Sequence, residues 1–173
     1  MLTQQRTDSR KTRRLASCAM LTSLALIFSY IEFLIPFNFG APGIKLGLAN
    51  IVIVVCIYKM PAKFGLIVNI ARICLAALLF GSMFSAIYAL AGGLVSLALM
   101  LILKKTGLFS VIGVSMAGGA AHNMAQMFAA MLLMQTKGII AYGPVLLLCG
   151  MATGIINGLI TTLVLNAIGR QEI

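Results

Sequence analysis

Residues 15–35 read LASCAMLTSLALIFSYIEFLI, a stretch with one charge, Glu32, that follows the basic run RKTRR at 10–14. About 20 apolar residues carry a helix across the ~30 Å hydrocarbon core of a bilayer, so this stretch is long enough to span. Pro36 stops it, because proline lacks the N–H that would continue a helix. A basic region before an apolar one also describes a secretory signal, but a signal core runs only about 7–15 residues. This stretch is longer and no clear small-x-small cleavage site follows it, so it reads as a retained anchor.

The rest of the chain has the same character. Of 173 residues, 61% are apolar and 9% charged, and mean hydropathy is +1.08. A soluble domain carries about 45–50% apolar and about 25% charged residues, so too little polar side chain is present to coat a water-facing surface. Five further spans follow: roughly Gly43–Tyr58, which is short, then Phe64–Phe80, Ser82–Leu103, Leu108–Met134 and about Ile140–Ile168. The gap between the third and fourth is nearly absent. The expected fold is an all-α integral membrane bundle of six transmembrane helices, with a basic arm at 1–14, a membrane domain at 15–169 and a short tail at 170–173. The arm is expected to be flexible or to lie at the membrane surface.

Charge sets the orientation. Thirteen Lys and Arg face three acidic residues, Asp8, Glu32 and Glu172, for a formal charge of +10. With the N-terminus inside, the inner segments hold Arg6, Arg10, Lys11, Arg13, Arg14, Lys59, Lys63, Lys104, Lys105 and Arg170, against Lys45 and Lys137 outside. Lys and Arg concentrate on the cytoplasmic side, so both termini are expected in the cytoplasm. The cations sit in short gaps between apolar runs, with no basic stripe interleaved with aromatics, which argues against nucleic acid and for the bilayer as partner. Cys18, Cys56, Cys74 and Cys149 lie singly inside apolar runs and read as small hydrophobes.

Small residues recur every fourth position: Gly150, Gly154, Gly158 and Thr162 in the sixth span, Ala117, Ala121, Ala125 and Ala129 in the fifth, Ser85, Ala89 and Gly93 in the fourth. That spacing keeps them on one helix face and lets backbones approach in lipid. Most of these stripes should only build the bundle. Ala19 and Ser23 form a weaker pair on the cytoplasmic half of the first span, a face suited to docking a partner helix.

Polar residues inside the spans are the functional candidates, since even a lenient scale puts a charge at the bilayer centre at about 2.5–3.5 kcal/mol. They are Glu32, Asn69, Arg72, His122, Asn123, Gln126 and Asn157. Counting residues at 1.5 Å each places Glu32 well above Arg72, which favours pairing Glu32 with Lys45. Arg72 is then left for a ligand or for helix-end carbonyls. His122 and Gln126 lie four apart beside Asn123, with Gly118 one turn before, giving the fifth helix a polar face with room beside it. Asn50 lies in the opening of the short second span. Lys45, Arg72 and His122 suit an anionic group, and Phe37, Phe39, Phe84 and Tyr88 a ring or isoprenoid.

No G-x-x-x-x-G-K-[ST], H-E-x-x-H, nucleophile elbow or carboxylate cluster is present. Prenyl-diphosphate chemistry needs Mg²⁺ on clustered carboxylates, so no intrinsic catalysis, cofactor or metal is expected. Three segments, PGIKLGLAN at 42–50, AGGLVS at 91–96 and GAAHNMAQ at 119–126, resemble the Gx transporter family, often labelled heptaprenyl diphosphate synthase component I. The layout also resembles substrate-binding (S) components of energy-coupling factor (ECF) transporters.

The ECF resemblance implies a small-molecule binder in the bacterial cytoplasmic membrane, driven by separate ATPases through a coupling subunit, with the first outer loop as lid. The component I label implies instead a non-catalytic membrane subunit beside a prenyl synthase that makes the menaquinone side chain. The candidate ligand-binding residues are His122, Asn123, Gln126, Asn157, Arg72, Glu32, Lys45 and Asn50, and the docking pair is Ala19 with Ser23. The expected ligand is a small organic molecule, anionic or ring-containing.

Overall fold

A computed structural model describes residues 2–35 and 47–169. Lys45, Phe37, Phe39 and the rest of the first outer loop, and the tail at 170–173, lie outside the described residues. Those described form six α-helices and no strand: α1 Leu2–Leu34, α2 Leu48–Lys59, α3 Ala62–Leu79, α4 Met83–Thr106, α5 Val111–Met134 and α6 Gly143–Ile168. A 3-10 turn at Lys137–Tyr142 leads into α6. The basic arm is helical from Leu2, continuous with the apolar stretch after it.

Four apolar stretches are long enough to cross a membrane: Lys11–Leu34, Ala62–Leu79, Met83–Thr106 and Gly138–Ile168. The protein is therefore of the helical membrane type, and large apolar side chains within its helices, such as Ile27, Ile67, Ile102 and Leu148, are exposed. α5 has the length, at 24 residues, but His122, Asn123, Gln126 and its glycines dilute its apolarity. α2 lacks the length: its 12 residues span about 18 Å.

Local chemistry fixes the breaks. The near-absent gap between the third and fourth spans is a capping box. The Ser85 N–H donates to Ser82 Oγ at 3.1 Å and the Ser82 N–H to Ser85 Oγ at 2.9 Å, which satisfies donors that a helix start leaves open. Gly107, at φ 70°, ends α4 in the left-handed region, and the Ser110 hydroxyl caps α5.

The bundle is built around α2. α1 packs on α2 and α3, α3 on α4, α4 on α5, α5 on α6, and α6 returns to α2. Nine of the twelve α2 residues are buried, including every position from Ile51 to Ile57. A helix apolar on all sides belongs inside protein. Its Ile53, Val54, Cys56 and Ile57 form the main core with Val68, Leu97, Met100, Val114 and Cys18.

α5 and α6 meet backbone to backbone. A Cβ on Gly154 would lie 2.7 Å from Met116 Cα, and one on Gly158 2.7 Å from Ile112 Cα. A Cβ on Gly119 would run into the Gly150 carbonyl oxygen. The glycine stripe of α6 thus packs as its spacing implies. Its partner stripe on α5 is Ile112, Met116, Gly119 and Asn123, not the alanines at 117, 121, 125 and 129. The alanines are only half-buried, and the closest approach falls at Gly119, where an added methyl group would meet the Gly150 carbonyl.

Gly154→Leu should therefore lower stability by about 1–3 kcal/mol or more, the usual result of overpacking. Gly138→Ala, with nothing within 4 Å of the added carbon, should stay within about 0.5 kcal/mol of wild type. Thermal unfolding in detergent followed by circular dichroism compares the two, and equal melting would contradict the packing.

Candidate functional site

A cavity of about 590 Å³ opens at the end of the bundle where α1 and α3 finish and α2 and α4 begin. That volume lies in the range of small-molecule pockets, about 300–1,000 Å³. Glu32, Asn50, Arg72, His122, Asn123, Gln126 and Asn157 all line it. One cavity thus gathers every candidate binding residue except Lys45, which lies outside the described residues.

The floor is the start of α2. Leu48 N–H donates to Glu32 Oε1 at 2.7 Å. Asn157 Nδ2 donates to the Gly47 carbonyl at 3.0 Å. Gly47 sits at φ 70°, where glycine carries no Cβ penalty, and a Cβ there would lie 3.1 Å from Asn157 Nδ2. Gly47 itself has no side chain to cap α2, so α1 supplies one. The carboxylate also opposes the positive end of the helix dipole.

Arg72 lies on the wall formed by α3. Its Nη2 donates to Asn69 Oδ1 at 3.1 Å, and Asn69 Nδ2 donates to the Gly93 carbonyl of α4 at 2.9 Å. Asn69 is 1% exposed. Arg72 therefore bonds to a neighbouring side chain and not to helix-end carbonyls. Counting residues along parallel spans set Glu32 apart from Arg72. Both line the same cavity.

On the α5 wall, His122 and Gln126 face the cavity, and Gly92 of α4 lies against both. A Cβ there would sit 2.6 Å from Gln126 Cγ and 3.1 Å from His122 Cε1. Asn123 Nδ2 donates to the Leu146 carbonyl of α6 at 2.9 Å, so that amide ties helices together. Ser85 and Ala89 of the α4 stripe also line the cavity.

The aromatic expectation needs correcting. Neither Phe84 nor Tyr88 lines the cavity, and Phe84 is 66% exposed. Among the described residues the rings lining the site are Phe33 of α1 and Phe80 at the end of α3, 5.4 Å apart, with Tyr30 5.5 Å from Phe80. Phe84 is the second residue of α4, immediately after the α3–α4 break, and is exposed. Sequence reasoning counted Asn69 among the polar candidates but left it out of the ligand-binding set, although its spacing of three from Arg72 puts both on one helix face. Ala19 and Ser23 are both exposed on α1, and Ser23 Oγ donates to the Ala19 carbonyl at 3.0 Å.

Among the described residues no group of three or more His, Cys, Asp or Glu could hold a metal ion. The polar groups lining the cavity are amides, the hydroxyls of Ser29, Ser82, Ser85 and Thr153, one imidazole, one guanidinium and one carboxylate. They can hydrogen-bond and hold charge around an organic molecule.

The family described as heptaprenyl diphosphate synthase component I matches residues 21–164. No curated protein and no solved structure shows a significant match.

Glu32→Ala would leave the Leu48 N–H without its acceptor. The expected loss is about 1.5–3 kcal/mol, as for a hydrogen bond to a charged group. Glu32→Gln keeps an acceptor and should recover part of it. Detergent melting temperatures give the order wild type, Gln, Ala; an unchanged Glu32→Ala would contradict the capping role.

Proposed function

The chain belongs to the heptaprenyl diphosphate synthase component I family, also called the Gx transporter family, and from that premise we propose that it is the membrane-embedded substrate-binding component of an ECF-type small-molecule transporter. The observation that carries this reading is the cavity. A subunit that only scaffolds another enzyme has no use for about 590 Å³ of space walled by Arg72, His122, Gln126 and Asn50. In this reading those four contact the ligand. Glu32, Asn123 and Asn157 support them by fixing α2 and α6. Lys45 joins from the first outer loop.

The ten-to-two distribution of cations supports both termini in the cytoplasm of a bacterial cell, with six helices in its membrane and the cavity facing outward. α2 then crosses only part of the bilayer, which is tolerated where surrounding protein satisfies its ends. Energy comes from separate ATPases through a coupling subunit that meets the exposed Ala19–Ser23 face. The family's description favours a second reading, a non-catalytic subunit beside a prenyl synthase. The lack of clustered carboxylates supports the non-catalytic part of either.

Three measurements test this. A single cysteine at 40 or 137 should label from outside, and one at 61 or 105 only after permeabilisation; external labelling at 105 would overturn the topology. Purification in mild detergent should recover ATPases, and Ala19→Leu with Ser23→Leu should abolish that recovery. Recovery of a prenyl synthase would instead favour the second reading. A ligand that co-purifies, identified by mass spectrometry, should bind His122→Ala and Gln126→Ala more weakly, each by about 1–3 kcal/mol, with little change in melting. Wild-type affinity in both would overturn the site.

A further inference from the structure

The cavity's charge is uneven in a way that indicates what it takes. The charged groups lining it, among the described residues, are Glu32 and Arg72. They are not in equivalent states. Glu32 Oε1 is engaged by the Leu48 N–H and sits at the positive end of α2, worth roughly half an elementary charge. Arg72 has five N–H donors. One is used on Asn69 Oδ1, and the Nε group is buried with no hydrogen-bond partner. Buried polar groups are normally satisfied, and a buried cation needs an anion or a set of acceptors.

Asn69 holds the guanidinium in this state. Its own amide is fixed to the Gly93 carbonyl, and a Cβ at residue 93 would lie 2.9 Å from Asn69 Nδ2. Only glycine at 93 lets Asn69 sit so close to the α4 backbone. The chain from α4 backbone through Asn69 to Arg72 orients the guanidinium at the cavity wall. At the mouth, Phe33 and Phe80 offer an apolar surface.

We propose that the cavity takes a small molecule with one acidic group, carboxylate or phosphate, on a ring or apolar body, and that Arg72, positioned by Asn69, holds the acid while Phe33 and Phe80 cover the body. This rests on the reading of the cavity as a binding site. Guanidinium and carboxylate or phosphate are geometric complements, and charge-assisted bonds are about twice as strong as neutral ones. His122 and Gln126, on the α5 wall, then meet the polar atoms of the body.

The test uses the full chain in phosphatidylcholine nanodiscs, which supply no net anionic headgroup. The probes are matched acid and neutral pairs: 2-naphthoate with 2-naphthamide, 1-naphthyl phosphate with 1-naphthol, and benzoate with benzamide. Affinity-selection mass spectrometry reads retention. Wild type should retain at least one acid about tenfold more than its neutral partner. Arg72→Gln should abolish that ratio, Arg72→Lys should keep part of it, and Asn69→Leu should reduce it with Arg72 still present. The ratio separates positioning from general destabilisation, which would lower acid and neutral retention alike. Repeating the selection in phosphatidylglycerol nanodiscs distinguishes the source of the acid. Competition identifies a lipid headgroup, and its absence a free small molecule. Equal retention of acids and neutrals overturns the Arg72 assignment and leaves the binding reading standing. Retention of no probe by wild type counts against both.

Discussion

A helix of twelve residues cannot cross a bilayer, and a helix with buried ends cannot leave its terminal N–H and C=O groups open. α2 is under both constraints, and the rest of the bundle is arranged to meet them. At its start, Glu32 from α1 accepts from the Leu48 N–H and Asn157 from α6 holds the Gly47 carbonyl. At its end, Lys104 of α4 donates to the Ile57 carbonyl at 2.5 Å, with its ammonium over the Tyr58 ring, and Lys59 reaches the Gly169 carbonyl after α6. An anion at the N-terminus and cations at the C-terminus both complement the helix dipole. Because α2 stops short, a space is left above its first turn, and that space is the cavity.

The α5–α6 pair fixes what faces the space. Glycines at 119, 150, 154 and 158 let the two backbones touch, and the Asn123 bond to the Leu146 carbonyl locks their rotation. With Asn123 turned toward α6, His122 and Gln126, on the adjoining face, are directed to the cavity. The packing face and the polar face of α5 are thus set together by a few small side chains. α3 uses the same device on a smaller scale, where Gly93 admits Asn69 and Asn69 orients Arg72.

Much of this is legible in the residues. Apolar runs mark α3 to α6 to within a few positions, because membrane helices are defined mainly by composition and length, but not the start of α1, which runs on through the basic arm from Leu2. The short second span and the α6 glycine stripe were readable for the same reason. The placement of Arg72 beside the same cavity as Glu32 was not, because counting depth treats spans as parallel rods from a common plane; Lys45, the expected partner of Glu32, lies outside the described residues. Nor could spacing tell which face of α5 meets α6, since the regular alanine stripe looks like a packing face, whereas the contact runs along Ile112, Met116, Gly119 and Asn123. At its closest point, Gly119 against the Gly150 carbonyl, an added methyl group would not fit. Phe84 and Tyr88 fall beside the site in sequence, yet the capping box at Ser82 turns α4 so that Phe33 and Phe80 supply the rings.

The central claim is that the space above α2 is occupied by an organic ligand in the working protein. Native mass spectrometry of the chain released from its own membranes tests it most directly, comparing wild type with Ala89→Trp, which places an indole in the cavity from the α4 wall. The account predicts a non-lipid adduct on wild type that is absent from Ala89→Trp at unchanged melting temperature. The same adduct at the same occupancy in both proteins, or none in wild type, would contradict it.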